Sequence, residues 1–139
     1  MRQAWDVKLF QRHPDDDPSE SCPAEEFLNS IPDSVATDLI AIVDDVAAAP
    51  PPRFSGGGHW EAMHGEMAGF YEARTIGPGK RLYRLFCVLE RSAPGIDGPA
   101  IILIAGMWKP VGTTFTSAEY ARVRRLEEEY RRRAPRNVV

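Results

Sequence analysis

The sequence predicts an α+β fold in which helices cover one face of an antiparallel sheet. Three observations lead there. Between Phe70 and Lys109 lie three consecutive runs of β-branched, aromatic and aliphatic residues, separated by short stretches rich in Gly and Pro. Upstream, Val35, Leu39, Ile42, Val43 and Val46 recur at helical spacing. Downstream, Thr116-Ser-Ala-Glu119 has the spacing of a capping box and opens a second stripe, Tyr120, Val123, Leu126 and Tyr130. A chain of 139 residues points to a single domain over 1–139. That length buries roughly two thirds of the unfolded surface, enough for a real core.

In chain order, Ala4 to Phe10 alternates weakly, with Trp5, Val7 and Leu9 on one side, and predicts a half-buried first strand. His13 to Ser21 is polar, acidic and broken by Pro14 and Pro18, and is expected to be a solvated linker. Pro23 to Ser30 predicts a short helix, with Pro23 in the first turn, where its missing N–H does no harm. Asp33 or Ser34 is expected to cap the next helix, Val35 to Ala49, which Pro50-Pro51-Pro52 ends. Arg53 to Gly58 reads as a flexible loop, and His59 to Gly69 as ambiguous, compatible with a turn of helix followed by a β-bulge or loop. The central strands are then Phe70–Ile76, Arg81–Leu89 and Ala100–Lys109, joined by hairpin-length connections. A final helix runs to about Arg133, and Pro135 stops it. The expected order is β-α-α-β-β-β-α, giving a four-stranded sheet once the first strand joins it. Because Arg74, Arg84 and Lys109 lie within apolar strands, the face that carries them is expected to be open and polar, since a buried charge needs a partner.

The formal net charge is −3, which argues against indiscriminate coating of nucleic acid but not against a local basic site. Charge is unevenly placed. Asp15 to Asp17 and Glu20, Glu25 and Glu26 load the N-terminal third, whereas Arg122, Arg124, Arg125, Arg131 to Arg133 and Arg136 load the end. Arginine outnumbers lysine 14 to 3, a bias that suits planar recognition of phosphate. Cys22 and Cys87 make no disulfide framework, and mid-strand Cys87 reads as a small buried hydrophobe. No signal-like or membrane-length apolar run occurs, so a soluble, cytoplasmic protein without membrane partners is expected.

His59-Trp-Glu61-Ala-Met-His64 does not make a zinc helix. Such a helix needs His at i and i+4 with Glu at i+1, whereas these histidines are five residues apart, about 140° around a helix. Neither a metal nor another cofactor is expected. Gly77-Pro78-Gly79-Lys80 lacks the pattern of a phosphate loop and is explained by a hairpin turn. The C-terminal arginines read most plainly as a solvated helix face, with Glu127 to Glu129 as partners at i,i+3 or i,i+4. Arg74 and Arg84 are more informative. Strand parity puts Arg84 beside Phe86 and Val88, and Glu72 beside Arg74. The plain reading is a Glu72–Arg84 cross-strand pair with Arg74 at the rim. The functional reading is a cationic cradle that stabilises a phosphodiester and its pentavalent transition state.

Four segments in order carry a resemblance: Met63 to Arg74, Leu82-Tyr-Arg-Leu-Phe86, Ile104-Ala-Gly-Met-Trp-Lys-Pro110, and Thr113 to Tyr130. Together they resemble the RelE/ParE toxin superfamily, in its HigB-like branch. The resemblance implies a RelE-like fold and a type II toxin encoded beside a helix-turn-helix antitoxin that neutralises it. It implies a metal-independent endoribonuclease that cuts mRNA at the ribosome, with the 2′-hydroxyl as nucleophile, and that meets operator DNA only through the antitoxin. By position, Arg84 and Arg74 would clamp phosphate, and Lys109 would stabilise charge or move a proton. His64 would be the imidazole nearest the start of the sheet, with Arg81 and Lys80 as further RNA or phosphate contacts. The same scaffold also admits a non-enzymatic role, as in ParE-type topoisomerase inhibitors or a phage or host regulatory partner.

Overall fold

The computed structural model describes residues 5–49 and 58–139. Pro50 to Pro52, nearly all of the loop expected over 53–58, and Ala4 lie outside the described residues. The elements are β1 (Asp6–Leu9), α1 (Pro23–Ser30), α2 (Asp33–Ala48), β2 (Trp60–Ala62), a 3-10 turn (Gly65–Met67), β3 (Tyr71–Gly77), β4 (Arg81–Glu90), β5 (Ala100–Pro110) and α3 (Ser117–Arg131). Every expected helix and strand is present within a few residues of its expected ends.

The sheet is five-stranded and mixed rather than four-stranded and antiparallel, with order β1-β5-β4-β3-β2. β1 pairs parallel to β5, with Asp6 opposite Ala100 and Leu9 opposite Leu103. The two helices between β1 and the meander supply the crossover that a parallel pair requires. The extra strand is β2, three residues long, antiparallel to β3. Trp60 anchors it, 3% exposed and stacked on Tyr71 at 5.4 Å. At the opposite edge, the C-terminal residues lie along β1: the Leu9 and Val139 amides each donate to the other's carbonyl at 2.9 Å.

Helices cover both faces of the sheet, not one. Val35, Leu39, Val43 and Val46 of α2 and Phe27 of α1 pack with Tyr83, Leu85, Cys87, Ile101 and Leu103. Val123, Leu126 and Tyr130 of α3 pack on the other side with Phe86, Val88, Ile102, Ile104 and Ala105. The face expected to be open is therefore roofed by α3 along β4 and β5. Continuous runs such as Ile101 to Ala105 are what a strand covered on both faces needs.

The caps are mixed. α3 begins with the expected capping box: the Glu119 amide donates to the Thr116 hydroxyl at 3.1 Å, and the Thr116 amide to the Glu119 carboxylate at 2.9 Å. α2 is not capped by Asp33 or Ser34. Both lie at or inside its first turn, and the Pro32 carbonyl instead accepts from the Val35 and Ala36 amides. The acidic segment His13 to Ser21 is a docked loop, not a solvated linker. Arg12 pairs with Glu129 at 3.1 Å and Arg133 with Asp16 at 2.8 Å. Asp17 accepts from the Ser19 and Ser21 amides, each at 3.1 Å. Several C-terminal arginines thus find their carboxylates across the fold, although Arg131 also takes Glu127 one turn back.

Candidate functional site

The sequence-predicted cations gather on the α3 side of the sheet, towards the ends of β3, β4 and β5. Pairing register sets their spacing: Arg74 lies directly opposite Arg84, and Lys109 opposite Leu82. Lys109 reaches this face only because of a bulge. The β4–β5 register shifts at Phe86/Cys87, so Ile104 and Ala105 both turn towards α3. Strict alternation from Ile104 would aim Lys109 into the α1/α2 layer. With the bulge, its ammonium lies 3.0 Å from Glu119 and 5.9 Å from the centre of the Phe115 ring.

Like charges directly opposite across a sheet repel, and Glu72 resolves this one. Its carboxylate contacts Arg74 Nη1 at 3.3 Å and Arg84 Nη1 at 3.4 Å. Glu72 is 4% exposed. Burial pushes its carboxyl above the ordinary carboxylate range, against the pull of Arg84 and Arg74. Arg74 also donates to Glu61 at 2.8 Å and to the Gly58 carbonyl at 2.8 Å. Arg84 lies over Phe115 at 5.3 Å and donates to the Tyr120 hydroxyl at 3.4 Å. Its Nε is buried with no hydrogen-bond partner among the described residues. Phe86, Phe115 and Tyr120 form an edge-on aromatic cluster beneath, with centres 5.7 to 6.2 Å apart. Burial also raises the Tyr120 phenol above its ordinary range, so the hydroxyl keeps its proton.

Glu72 pairs with Arg84, as the plain reading of the sequence expects, but it holds Arg74 as well, which that reading left at the rim. Every cation of the cluster has a carboxylate: Glu61 and Glu72 for Arg74, Glu72 for Arg84, Glu119 for Lys109. Beside them Arg124 pairs with Glu66 at 2.8 Å. The remaining candidates lie apart. His64 is exposed at the start of the 3-10 turn, where its carbonyl accepts from the Met67 amide at 3.3 Å, and no described hydrogen bond links its ring to the cluster. His59 is nearer, with Nδ1 3.3 Å from the Arg74 carbonyl oxygen. Arg81 points to the opposite face and lies over Trp108 at 4.2 Å. Lys80 is exposed in the β3–β4 turn at φ 56°.

Sequence reasoning missed Glu61, Glu119 and the Tyr120 hydroxyl as partners of these cations. Glu119 was visible only as a capping residue, and it does both jobs. Nothing local marks Glu61 as the neighbour of Arg74, thirteen residues on. Among the described residues, no group of three or more His, Cys, Asp or Glu side chains is placed to hold a metal ion, and no helix is long and apolar enough to cross a membrane.

No family model, curated protein or solved structure matches the chain. Function has to be argued from the residues themselves.

Proposed function

We propose that the Arg74–Arg84–Lys109 face binds the phosphodiester backbone of RNA and cleaves it, and that the protein is a RelE-like, HigB-type toxin acting on mRNA at the ribosome. The observation that carries this is the convergence on one face of two opposed guanidiniums around the Glu72 carboxylate, with the Tyr120 phenol 3.4 Å from Arg84 and the Lys109 ammonium on Glu119 beside Phe115. Arg74 and Arg84 would hold the non-bridging oxygens and stabilise the charge that develops on them. The 2′-hydroxyl oxygen would attack phosphorus and give its proton to a part-exposed carboxylate of the face, Glu61 or Glu119. The P–O5′ bond breaks, and the leaving oxygen takes a proton from Tyr120 or Lys109, leaving a 2′,3′-cyclic phosphate. A helix-turn-helix antitoxin, with operator DNA met only through it, and a cytoplasmic location belong to the same proposal.

The pairing of every cation supports a second reading, a non-enzymatic inhibitor or regulatory partner on the same scaffold. Arg74, Arg84 and Lys109 are balanced by Glu61, Glu72 and Glu119. A phosphate must displace those carboxylates, which weakens RNA affinity. Pro110 also stands where the resemblance expects a second lysine after Lys109.

Mapping mRNA 5′ ends after brief induction separates the two readings, with the Arg84→Ala/Lys109→Ala protein as control. New ends inside translated frames, absent with the control, are expected of the nuclease. Growth arrest without new ends would refute cleavage and favour the inhibitor. Binding to uncleavable RNA should weaken with added salt, more steeply for each phosphate contact made.

A further inference from the structure

We propose that the sheet tip on the far side of β4 is a docking platform for an unpaired nucleobase, built from Arg81 held over Trp108 and flanked by Lys80. The proposal rests on the RNA reading above and adds a contact outside the proposed catalytic face.

The tip differs from the rest of the molecule in charge. Residues 73–84 and 105–118 contain no Asp or Glu, yet they carry Lys80, Arg81 and Lys109 besides Arg74 and Arg84. The two segments meet at the tip, where Arg81 pairs with Pro110 and the Val111 amide donates to the Lys80 carbonyl at 2.8 Å. Whereas the sheet-face cations are all paired, no ion pair holds Arg81 or Lys80 among the described residues. At the tip, positive charge is offered without a carboxylate in contact.

The tip also carries unusual apolar exposure. Trp108 is 41% exposed and Val111 50%, both beside the β3–β4 turn, while Ile76, 64% exposed, faces the other way with Arg74 and Leu82. Trp108 leans towards buried Tyr83, ring centres 6.2 Å apart, and the Arg81 guanidinium lies over it at 4.2 Å. That contact restrains a side chain that would otherwise rotate freely and leaves a planar cation at the surface. Nucleobases that are not paired stack on guanidinium planes and aromatic rings, and the adjoining phosphates seek cations. An acidic peptide would use the charge but would gain nothing from the planar cation or the exposed apolar side chains. Charge and shape together favour single-stranded RNA.

The other tryptophans are buried, Trp5 at 8% and Trp60 at 3% exposure, so Trp108 is a built-in reporter. The test titrates the whole protein with a short, uncleavable 2′-O-methyl oligoribonucleotide. It follows tryptophan fluorescence, and anisotropy of a labelled oligonucleotide for the Trp108→Ala protein. Quenching is expected, and both Arg81→Lys and Trp108→Ala should weaken binding roughly tenfold, within the range for one stacked base. Arg81→Lys keeps the charge and removes the plane. Its melting temperature should match that of the parent, because the site is exposed. Absence of quenching, or an Arg81→Lys protein that binds like the parent, would overturn the platform. Stronger quenching by a poly-glutamate peptide would overturn the assignment to RNA and indicate an acidic protein partner. A parallel assay with ordinary mRNA on translating ribosomes keeps the two ideas apart. Quenching without cleavage leaves the platform standing and sinks the nuclease, whereas cleavage without quenching does the reverse.

Discussion

Replacing Glu72 with Gln tests whether one carboxylate holds the cation cluster together. The substitution preserves shape and one acceptor oxygen but leaves Arg74 and Arg84 facing each other without counter-charge. At contacts of 3.3 and 3.4 Å, each ion pair is worth roughly 5 kcal/mol of bare attraction at an effective dielectric of about 20. Desolvation offsets much of that. The raised carboxyl pKa says that burial outweighs the two arginines. The loss should therefore fall short of the ~3–5 kcal/mol typical of breaking a buried pair, and we expect about 1–2 kcal/mol at neutral pH. Unfolding entropy of about 2.1 cal/mol/K per residue makes 1 kcal/mol worth roughly 3 °C in a chain of 139 residues. The melting temperature should drop by roughly 3–6 °C, and urea unfolding should show an unchanged m value. The pH dependence has a definite sign. A carboxyl whose pKa is higher folded than unfolded contributes stability below the unfolded value and loses it as pH rises through the folded value. The gap between parent and Glu72→Gln should accordingly narrow as pH rises. Inorganic phosphate should stabilise the variant more than the parent, because its arginines are free to bind it. Unchanged stability, a loss above about 4 kcal/mol, or equal stabilisation by phosphate would each refute this account of the cluster.

Three further outcomes follow from the packing and the charges. Leu39→Ala, at a fully buried α2 position, should cost about 2–5 kcal/mol in urea unfolding. A loss of a few tenths would make α2 peripheral. Gly106→Ala would set a methyl inside the van der Waals contact of the Phe27 ring, so either that ring or α1 must shift. A cost of about 1–3 kcal/mol is expected, and it should shrink in a Phe27→Ala background if this clash is the cause. Asp16 and Asp17 are held below the ordinary carboxylate range, Asp16 chiefly by Arg133 and Asp17 by hydrogen bonds from Ser21 and Ser19. Their contribution is present above the unfolded pKa and lost as pH falls through the folded one. Acid should therefore loosen residues 13–21 before the sheet, seen as faster amide exchange at Asp16, Asp17 and Ser21, and unchanged exchange there would contradict the ion-pair latch.

Much of the site was legible because it is local. Alternation along β3 and β4 put Glu72, Arg74 and Arg84 on one side, and opposing strands in a hairpin bring them together. Lys109 was found as a residue, but its facing was not, because nothing in Ile101 to Ala105 marks which residue bulges. All five are apolar, so either face would accept any of them. The same uniformity hid the second helical layer. A run that is apolar throughout is what a strand covered on both faces needs, whereas the three strand cations point to an open face.

By itself, the sequence determined the α+β class, the order of the helices and of every strand but β2, the capping box of α3 and the company that Arg84 keeps along its strand. Each follows from side-chain periodicity or chemistry within a few residues. Tertiary structure alone decided that β1 joins β5 in parallel and that α3 roofs the face opposite α1 and α2. It also decided that the acidic loop latches onto C-terminal arginines and that every cation of the cluster meets a carboxylate. Those outcomes depend on which distant surfaces bury the most apolar area and which charges are left close enough to pair, and neither is written in any single stretch of the chain.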